Sequence, residues 1–402
     1  MAVKAQKKPI VYLDNSATTR QYDSVTESMA ENMKQVFGNP SSLHALGLAA
    51  EKEVRAARKG IAGALGAAEE ELYFTSCGTE SDNTVLMGAA QAKKRSGKKI
   101  IVSAVEHPAI LEPARKLESM GYEVAYIGVD RLCHLDLKQL EAELTEDTIL
   151  ISVMGVNNES GTILPIPEIA KLRDAFNQAH GTDIWLHSDC VQAFGKIPVD
   201  LTKNFRGVDF VSLSAHKIHG PKGMGALYVK KGRNLPALLL GGGQERHLRS
   251  GTENTPGIVG FGKATELATD NFVPRTECMR ACREFLLQAC KDEIPDIRLN
   301  SPEDETACPS VLNISFLGTR GEVLLHTLEQ DGIYVSTGSA CSSNHASSKG
   351  SHVLNAMGLS PKEIEGAIRF SFSEFNTLEE MEYTAEKLKA AVQRFRRLGS
   401  FR

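Results

Sequence analysis

The segment STGSACSSNHASSKGS, residues 336–351, places a cysteine among Ser, Gly, Ala and Asn with no apolar residue to hold it in a core. Cysteine ordinarily packs as a small buried hydrophobe, so this setting predicts an exposed, mobile Cys341 kept for the reactivity of its thiol. A second candidate stands in SLSAHKIHGPKGMGALYV (212–229), where an apolar run ends at Ser214, His216 and Lys217 and a Gly/Pro-rich turn leads to another apolar run. Lys217 is either a solvated loop lysine, as most are, or an amine whose surroundings lower its pKa from ~10.4 so that it attacks a carbonyl. HSDCVQAFGK (187–196) bears on that choice. Asp189 ends an apolar run, where an unpaired carboxylate is costly. It either caps a following helix or faces the ring nitrogen of pyridoxal phosphate (PLP), which must stay protonated for the ring to act as an electron sink.

A phosphate needs donors. FTSCGTESDN (74–83) ends a strand-like run in small residues and opens a helix, so the backbone N–H groups of Gly78 and Thr79 are placed to hold an oxyanion. Thr79 with Asp82 also reads as an ordinary capping pattern. GGGQERHLRSGTEN (241–254) is Gly-rich but lacks the G-K-[ST] ending of a nucleotide P-loop, and no G-x-G-x-x-G follows a strand.

The chain's eight cysteines form no C-x-x-C pair, which gives no support to a zinc or thioredoxin-like site. Cys278 and Cys282, four residues apart in a helical stretch, read as core-facing small residues. Scattered unpaired thiols fit a reducing, cytoplasmic setting. A formal net charge of −4 offers no general attraction to nucleic acid or anionic membrane. The basic start MAVKAQKKPI is followed by no apolar run of a secretory signal, and no stretch approaches the ~20 apolar residues of a membrane span.

The elements that must position these residues alternate. Strand-like runs at 71–76, 99–104, 123–129, 148–156, 184–189, 210–215 and 225–231 are separated by helical patterns such as 42–66 and 108–121. This predicts an α/β domain with a mostly parallel sheet between helices, and a ligand at the carboxyl ends of the strands. The polar candidates, including His107, Asn158, Asp189 and Lys217, all follow strands. From about residue 265 the character changes. A long helix (257–291) leads to LNISFLG (312–318), the helix EVLLHTLEQ (322–330), the strand GIYVSTG, a further helix, two strands and the amphipathic final helix 377–399. The expected division is a large domain, 15–264, and a smaller α+β domain made of 1–14 and 265–402, which carries the Cys341 loop.

LDNSATT (13–19), FGNPSSLHALG (37–47), FTSCGTESDN, VEHPAI (105–110), VNNESG (156–161), HSDCVQAFGK, SAHKIHGPKG (214–223), GGGQERHLRSGTEN, STGSACSS (336–343) and IRFSFS (368–373) follow one another in a single order. Together they resemble the NifS/IscS-type cysteine desulfurases, class V aminotransferases of PLP-dependent transferase fold type I, over nearly the whole chain. The resemblance implies a seven-stranded large-domain sheet and PLP held on Lys217 as an internal aldimine. It implies that Asp189 pairs with the ring nitrogen, that Gln192 bonds the ring oxygen, and that His107 stacks on the ring and transfers protons. Gly78, Thr79, Ser214 and His216 would bind the phosphate, with Thr252 supplied by the other subunit of a homodimer. Asn158 and Arg369 would hold the substrate carboxylate, for which a planar guanidinium fork is suited.

The implied reaction converts L-cysteine to L-alanine. Lys217 removes the Cα proton, and the Cys341 thiolate takes the substrate sulfur as a persulfide. A thiol of pKa ~8.5 needs a base, for which His107 is the candidate. A mobile loop would then carry the persulfide to a sulfur-acceptor protein, for iron–sulfur cluster assembly or tRNA thiolation. Cys77 and Cys190 replace other small residues beside cofactor contacts and are read as packing. The ending RRLGSFR does not resemble the tail of scaffold-binding relatives. The alternatives are a selenocysteine lyase or another class V PLP enzyme, and a non-catalytic sulfur-relay protein. A transaminase has no use for a mobile Cys341, and a relay protein has no need to keep Lys217 and Asp189.

Overall fold

The computed structural model describes residues 9–337 and 350–399; Cys341 lies outside the described residues. The apolar runs form one seven-stranded sheet. In spatial order its strands are Leu72–Thr75, Gly225–Val229, Phe210–Ser214, Trp185–Asp189, Thr148–Ser152, Lys99–Ser103 and Glu123–Ile127. Gly225–Val229 runs antiparallel to both neighbours and the other pairings are parallel, in line with the mostly parallel α/β sheet expected.

The four strands from Phe210–Ser214 to Lys99–Ser103 are buried at every position. Helices cover both faces, so the strands show apolar stretches such as 100–102 and 149–151 rather than an in–out alternation, with polar residues buried among them at His187 and Ser212. Ile101, Ile151 and Val211 join one cluster with the helix residues Ile61 and Phe261. Their neighbours Ile100, Leu150 and Phe210 join another with Leu86 and Leu117. The helix Ala45–Ala64 shows why it packs there: its buried Ala50, Val54, Ala57 and Ile61 recur at helical spacing, and the His44 ring accepts the Gly47 N–H at its start.

The strand expected over 148–156 ends at Ser152. Two residues on, the Met154 N–H leaves the sheet direction and donates to the Glu106 carboxylate at 2.9 Å. The long helix expected over 257–291 is two helices, Thr255–Asp270 and Phe272–Glu293. Asn271 leaves helical geometry (φ −109°, ψ 24°), and Pro274 has no N–H to continue the ladder, a defect tolerated only in a first turn.

Val311–Phe316 forms the centre of a three-stranded antiparallel sheet, between Ala367–Ser371 and Ile297–Leu299. Where a helix and two strands were expected after the Cys341 segment, the chain forms two short helices, His352–Ala356 and Pro361–Glu365, and the one strand Ala367–Ser371. The second helix is set by a capping box between Ser360 and Glu363. Val11–Tyr12 pairs in parallel with Ile333–Tyr334. Val11 and Leu13 share a core cluster with Leu286, Ile314, Phe370 and Leu388. Residues 11–13 therefore lie among the chain's late elements, and the chain crosses from there to the large sheet.

Candidate active site

The carboxyl ends of the parallel strands open into a cavity of about 330 Å³. Gly78, Thr79, His107, Asn158, Asp189, Gln192, Ser214, His216, Lys217 and Arg369 all line it, with Asp14, Ser16, Cys77 and Asp82. The topology gathers them. Asp189 and Ser214 are the last residues of adjacent strands, and a short 3-10 turn, Ala215–Lys217, follows directly from the second. Thr252 stands apart, in a second cavity of about 250 Å³ lined also by Glu245, Arg249 and Glu253.

The Lys217 ammonium donates to the backbone carbonyls of Ser16 and Ala17, the latter at 2.8 Å. The turn is held to the same segment: the Thr19 N–H donates to the His216 carbonyl at 3.0 Å, and the His216 ring meets the Thr18 hydroxyl at 3.1 Å. These carbonyls were not identified from the sequence, although LDNSATT was singled out; a backbone acceptor has no residue-type signature.

Asp189 is buried, and one carboxylate oxygen accepts the Val191 N–H at 2.8 Å. Burial raises its pKa to about 6. It thus closes the turn after its strand and still lines the cavity; it caps no helix, because residues 191–196 form turns. Beneath it lies a buried polar layer that sequence reasoning missed. His187 sits between the hydroxyls of Ser152 (2.8 Å) and Ser212 (3.0 Å), and burial holds it neutral, down to about 3. Its Nε2 is 3.6 Å from Asp82. Asp82 is fully buried with one oxygen unpartnered, and burial together with the neighbouring Asp189 charge pushes its pKa well up. Glu106, raised to about 8 by burial, accepts from the Ser103 hydroxyl and the Met154 N–H.

Asp82 does not cap the helix Gly78–Ala92. Cys77 is the N-cap residue and makes no side-chain cap; the Glu80 carboxylate instead accepts the Ser76 N–H at 2.8 Å. Asp82 points to the interior because its position falls on the buried face with Ser81 and Val85.

His107 caps the helix Pro108–Ser119, its Nδ1 accepting the Ala109 N–H at 3.1 Å. A backbone N–H only donates, so in the neutral ring the hydrogen is on Nε2. Burial, the Lys217 charge and His352 lower its pKa to about 4. The ring therefore offers a donor, and acting as the base for a thiol would first require breaking the cap.

Arg369 donates to the Asn158 carbonyl at 3.1 Å and to Asp14 at 2.8 Å, while its buried Nε has no partner among the described residues. The Ser214 hydroxyl is likewise buried with no partner among them. A side chain at Gly78 would place its Cβ 2.6 Å from Val191. Of the two cysteines read as packing, Cys190 is buried and its thiol is pushed far up by burial, whereas Cys77 is half-buried on the cavity wall. Cys282 is buried and Cys278 half-buried. Among the described residues no group of His, Cys, Asp and Glu is set to hold a metal ion, and no helix is long and apolar enough to cross a membrane.

The class-V aminotransferase family profile matches residues 11–384. Among characterised proteins, the chain is 42% identical over 392 residues to a cysteine desulfurase IscS of Dictyoglomus turgidum, covering 98% of this chain and 97% of that one. It is 44% identical over 389 residues to a cysteine desulfurase IscS of Methanosarcina thermophila, covering 97% and 93%. Among solved structures, a NifS-like protein superposes with a TM-score of 0.88 at 38% identity, over 96% of this chain and 100% of that one. The protein SspA in complex with cysteine superposes at 0.77 with 33% identity, over 91% and 100%. With its fold, its cavity and these matches in agreement over nearly its full length, the chain belongs to the class-V aminotransferases and, within them, to the cysteine desulfurases of the NifS/IscS type.

Proposed function

We propose that the cavity is the active site of a PLP-dependent enzyme that converts L-cysteine to L-alanine and loads the sulfur on Cys341 as a persulfide. The observation that carries this is the pairing of Lys217 and Asp189 around one cavity, at the ends of adjacent strands. The residues present fit the cofactor. The unpartnered Ser214 hydroxyl, the start of the helix at Gly78, Thr79 and His216 suit a phosphate. Gln192 suits the ring oxygen, and a carboxylate at Asp189 suits a protonated ring nitrogen. Bound there, PLP supplies the electron sink of the reaction.

The chain's own groups do the rest. Lys217 Nζ would hold the cofactor and, when free of it, would take the substrate's Cα proton. Asp189 keeps the ring-nitrogen proton in place, and His107 presents its Nε2 hydrogen. Arg369 Nε and Asn158 receive the substrate carboxylate; Asp14 already fixes the guanidinium plane. The Cys341 thiolate attacks the substrate sulfur. The Cβ–S bond breaks with its electron pair left on the carbon fragment, which is protonated to alanine. Thr252, set away from the cavity of its own chain, reaches the phosphate of the other subunit in a homodimer. The exposed Phe37, Leu43 and Leu240 supply apolar surface for such a contact. The sulfur passes to an acceptor protein such as an iron–sulfur scaffold, in a cytoplasmic setting that keeps the free thiols reduced.

The test is to incubate purified protein with L-cysteine and assay alanine and sulfide, beside Cys341→Ala. Alanine production that collapses in the variant supports the reading. Glutamate-dependent transamination that survives the substitution replaces it with a transaminase.

A further inference from the structure

Four residues beyond Gln192, Lys196 is buried at 5% exposure, with no carboxylate within ion-pair distance among the described residues. An ammonium in such a place is costly. What it holds is an amide: Nζ donates to Gln192 Oε1 at 2.7 Å. The turn that brings the two together bends at Gly195, whose φ of +72° an ordinary side chain rarely adopts.

The consequence concerns which end of the amide faces the cavity. A carboxamide can present either a carbonyl or an NH₂ group. A lysine ammonium only donates, so the contact with Lys196 pins the carbonyl end. The NH₂ end is then committed to the other side, where it donates to the Ser16 carbonyl at 2.9 Å. That carbonyl also receives Lys217. Gln192 and Ser16 both line the cavity, and Nε2 has a second hydrogen left to give.

We propose that Lys196 is a positioning residue: by holding Gln192 Oε1 it prevents the amide from flipping and keeps a hydrogen-bond donor aimed at the phenolic oxygen of PLP. This rests on the PLP reading above. An anionic oxygen with a donor beside it is stabilised; facing a carbonyl instead, it binds its neighbouring proton more tightly. Burial and the nearby guanidinium groups of Arg275 and Arg369 lower the Lys196 pKa to about 8, against the raising effect of Cys308 and Glu374. Even uncharged, the amine still donates, so the orientation is kept at alkaline pH.

The test is an absorbance titration of the PLP-loaded protein, read as the pH midpoint of its visible band. Lys196→Met keeps the length of the side chain and removes the donor; Lys196→Leu serves if that variant does not fold. Either is expected to raise the midpoint by about one pH unit, the size of a charge-assisted hydrogen bond. In a Gln192→Leu background, which has no amide to orient, the same substitution is expected to add no further shift. A change confined to melting temperature, with the midpoint unmoved in a folded variant, overturns the proposal alone, because that is what a merely structural lysine would give. A wild-type protein that acquires no visible band with PLP overturns the underlying reading and the proposal with it.

Discussion

The buried pair of Arg58 and Glu245 ties the helix Ala45–Ala64 to the loop that carries Thr252, and breaking it should be felt throughout the fold. Both terminal nitrogens of Arg58 donate to the Glu245 carboxylate, at 2.7 Å each, and one also donates to the Leu72 carbonyl at 2.8 Å. The same carboxylate accepts the Phe74 N–H at 2.8 Å, and the guanidinium lies 4.6 Å from the Phe74 ring. The side chains are only 11% and 3% exposed. Glu245 also begins three consecutive non-glycine residues with left-handed backbone, at φ 44°, 52° and 67°, a conformation costing roughly 1–2 kcal/mol per residue. The carboxylate's contacts hold it there.

Glu245→Leu strands a buried cation, about 3–5 kcal/mol, and leaves the Phe74 N–H unsatisfied, about 1–3 kcal/mol. Allowing for relaxation, the expected loss is about 4 kcal/mol, a large fraction of an ordinary protein's stability. Replacing both partners by apolar residues, Arg58→Met with Glu245→Leu, removes the stranded charge and should restore the chain to within about 2 kcal/mol of wild type. The assay is urea unfolding followed by the emission of Trp185, the chain's single tryptophan, which is buried in the central sheet. A single variant that unfolds at the wild-type urea concentration, or a double variant less stable than the single one, would refute the reasoning.

Three further outcomes are expected. In the native state burial holds His187 down to about 3, below the ordinary 6.5, so the folded protein binds fewer protons than the unfolded chain over this range. Its contribution is present above pH 6.5 and is lost as pH falls from there towards 3. Between pH 6.5 and 4.5 this is worth about 2 kcal/mol, and His187→Gln should flatten the acid limb of a stability–pH curve by that amount; an unchanged limb would count against it. Gly78→Ala puts a Cβ 2.6 Å from Val191 and should cost about 1–3 kcal/mol and weaken PLP retention, with partial recovery when Val191→Ala is added, measured by melting temperature and bound chromophore. Asp189→Asn keeps the size of the side chain but not its charge, and alanine formation should fall by about 10²–10³-fold with the Trp185 unfolding transition little changed.

The large sheet was legible because its central strands are buried on both faces, so that KIIVS and TILIS each carry three consecutive apolar residues between polar ends. The residues that follow those strands were legible as site candidates for the same reason, since a strand that ends in Asp189 or in Ser214 leaves little doubt where its polar end must open. What was not legible depends on distant chain. The break at Asn271 is an exception, since Pro274 marks it locally, but the apolar spacing runs through it and reads as one helix. Asp82 sits three residues after a threonine and reads as a cap, but it points inward beside His187, more than a hundred positions away. The acceptors at Ser16 and Ala17 are peptide carbonyls, and the tether from Asp14 to Arg369 joins opposite ends of the sequence.

That tether bears on the order of events at the ribosome. All seven strands of the large sheet are made by Val229, whereas the helix Thr255–Asp270 that covers one face of it, and Glu245 that takes the Phe74 N–H, come later. The strand Val11–Tyr12, however, must wait for Ile333–Tyr334, and Asp14 for Arg369. Until they arrive, the segment whose carbonyls receive Lys217 is held at the turn, through Thr18 and Thr19 to His216, and not yet at Asp14. A nascent chain therefore holds the strands of its sheet well before the segment around Lys217 is tied at both ends, which waits for Arg369.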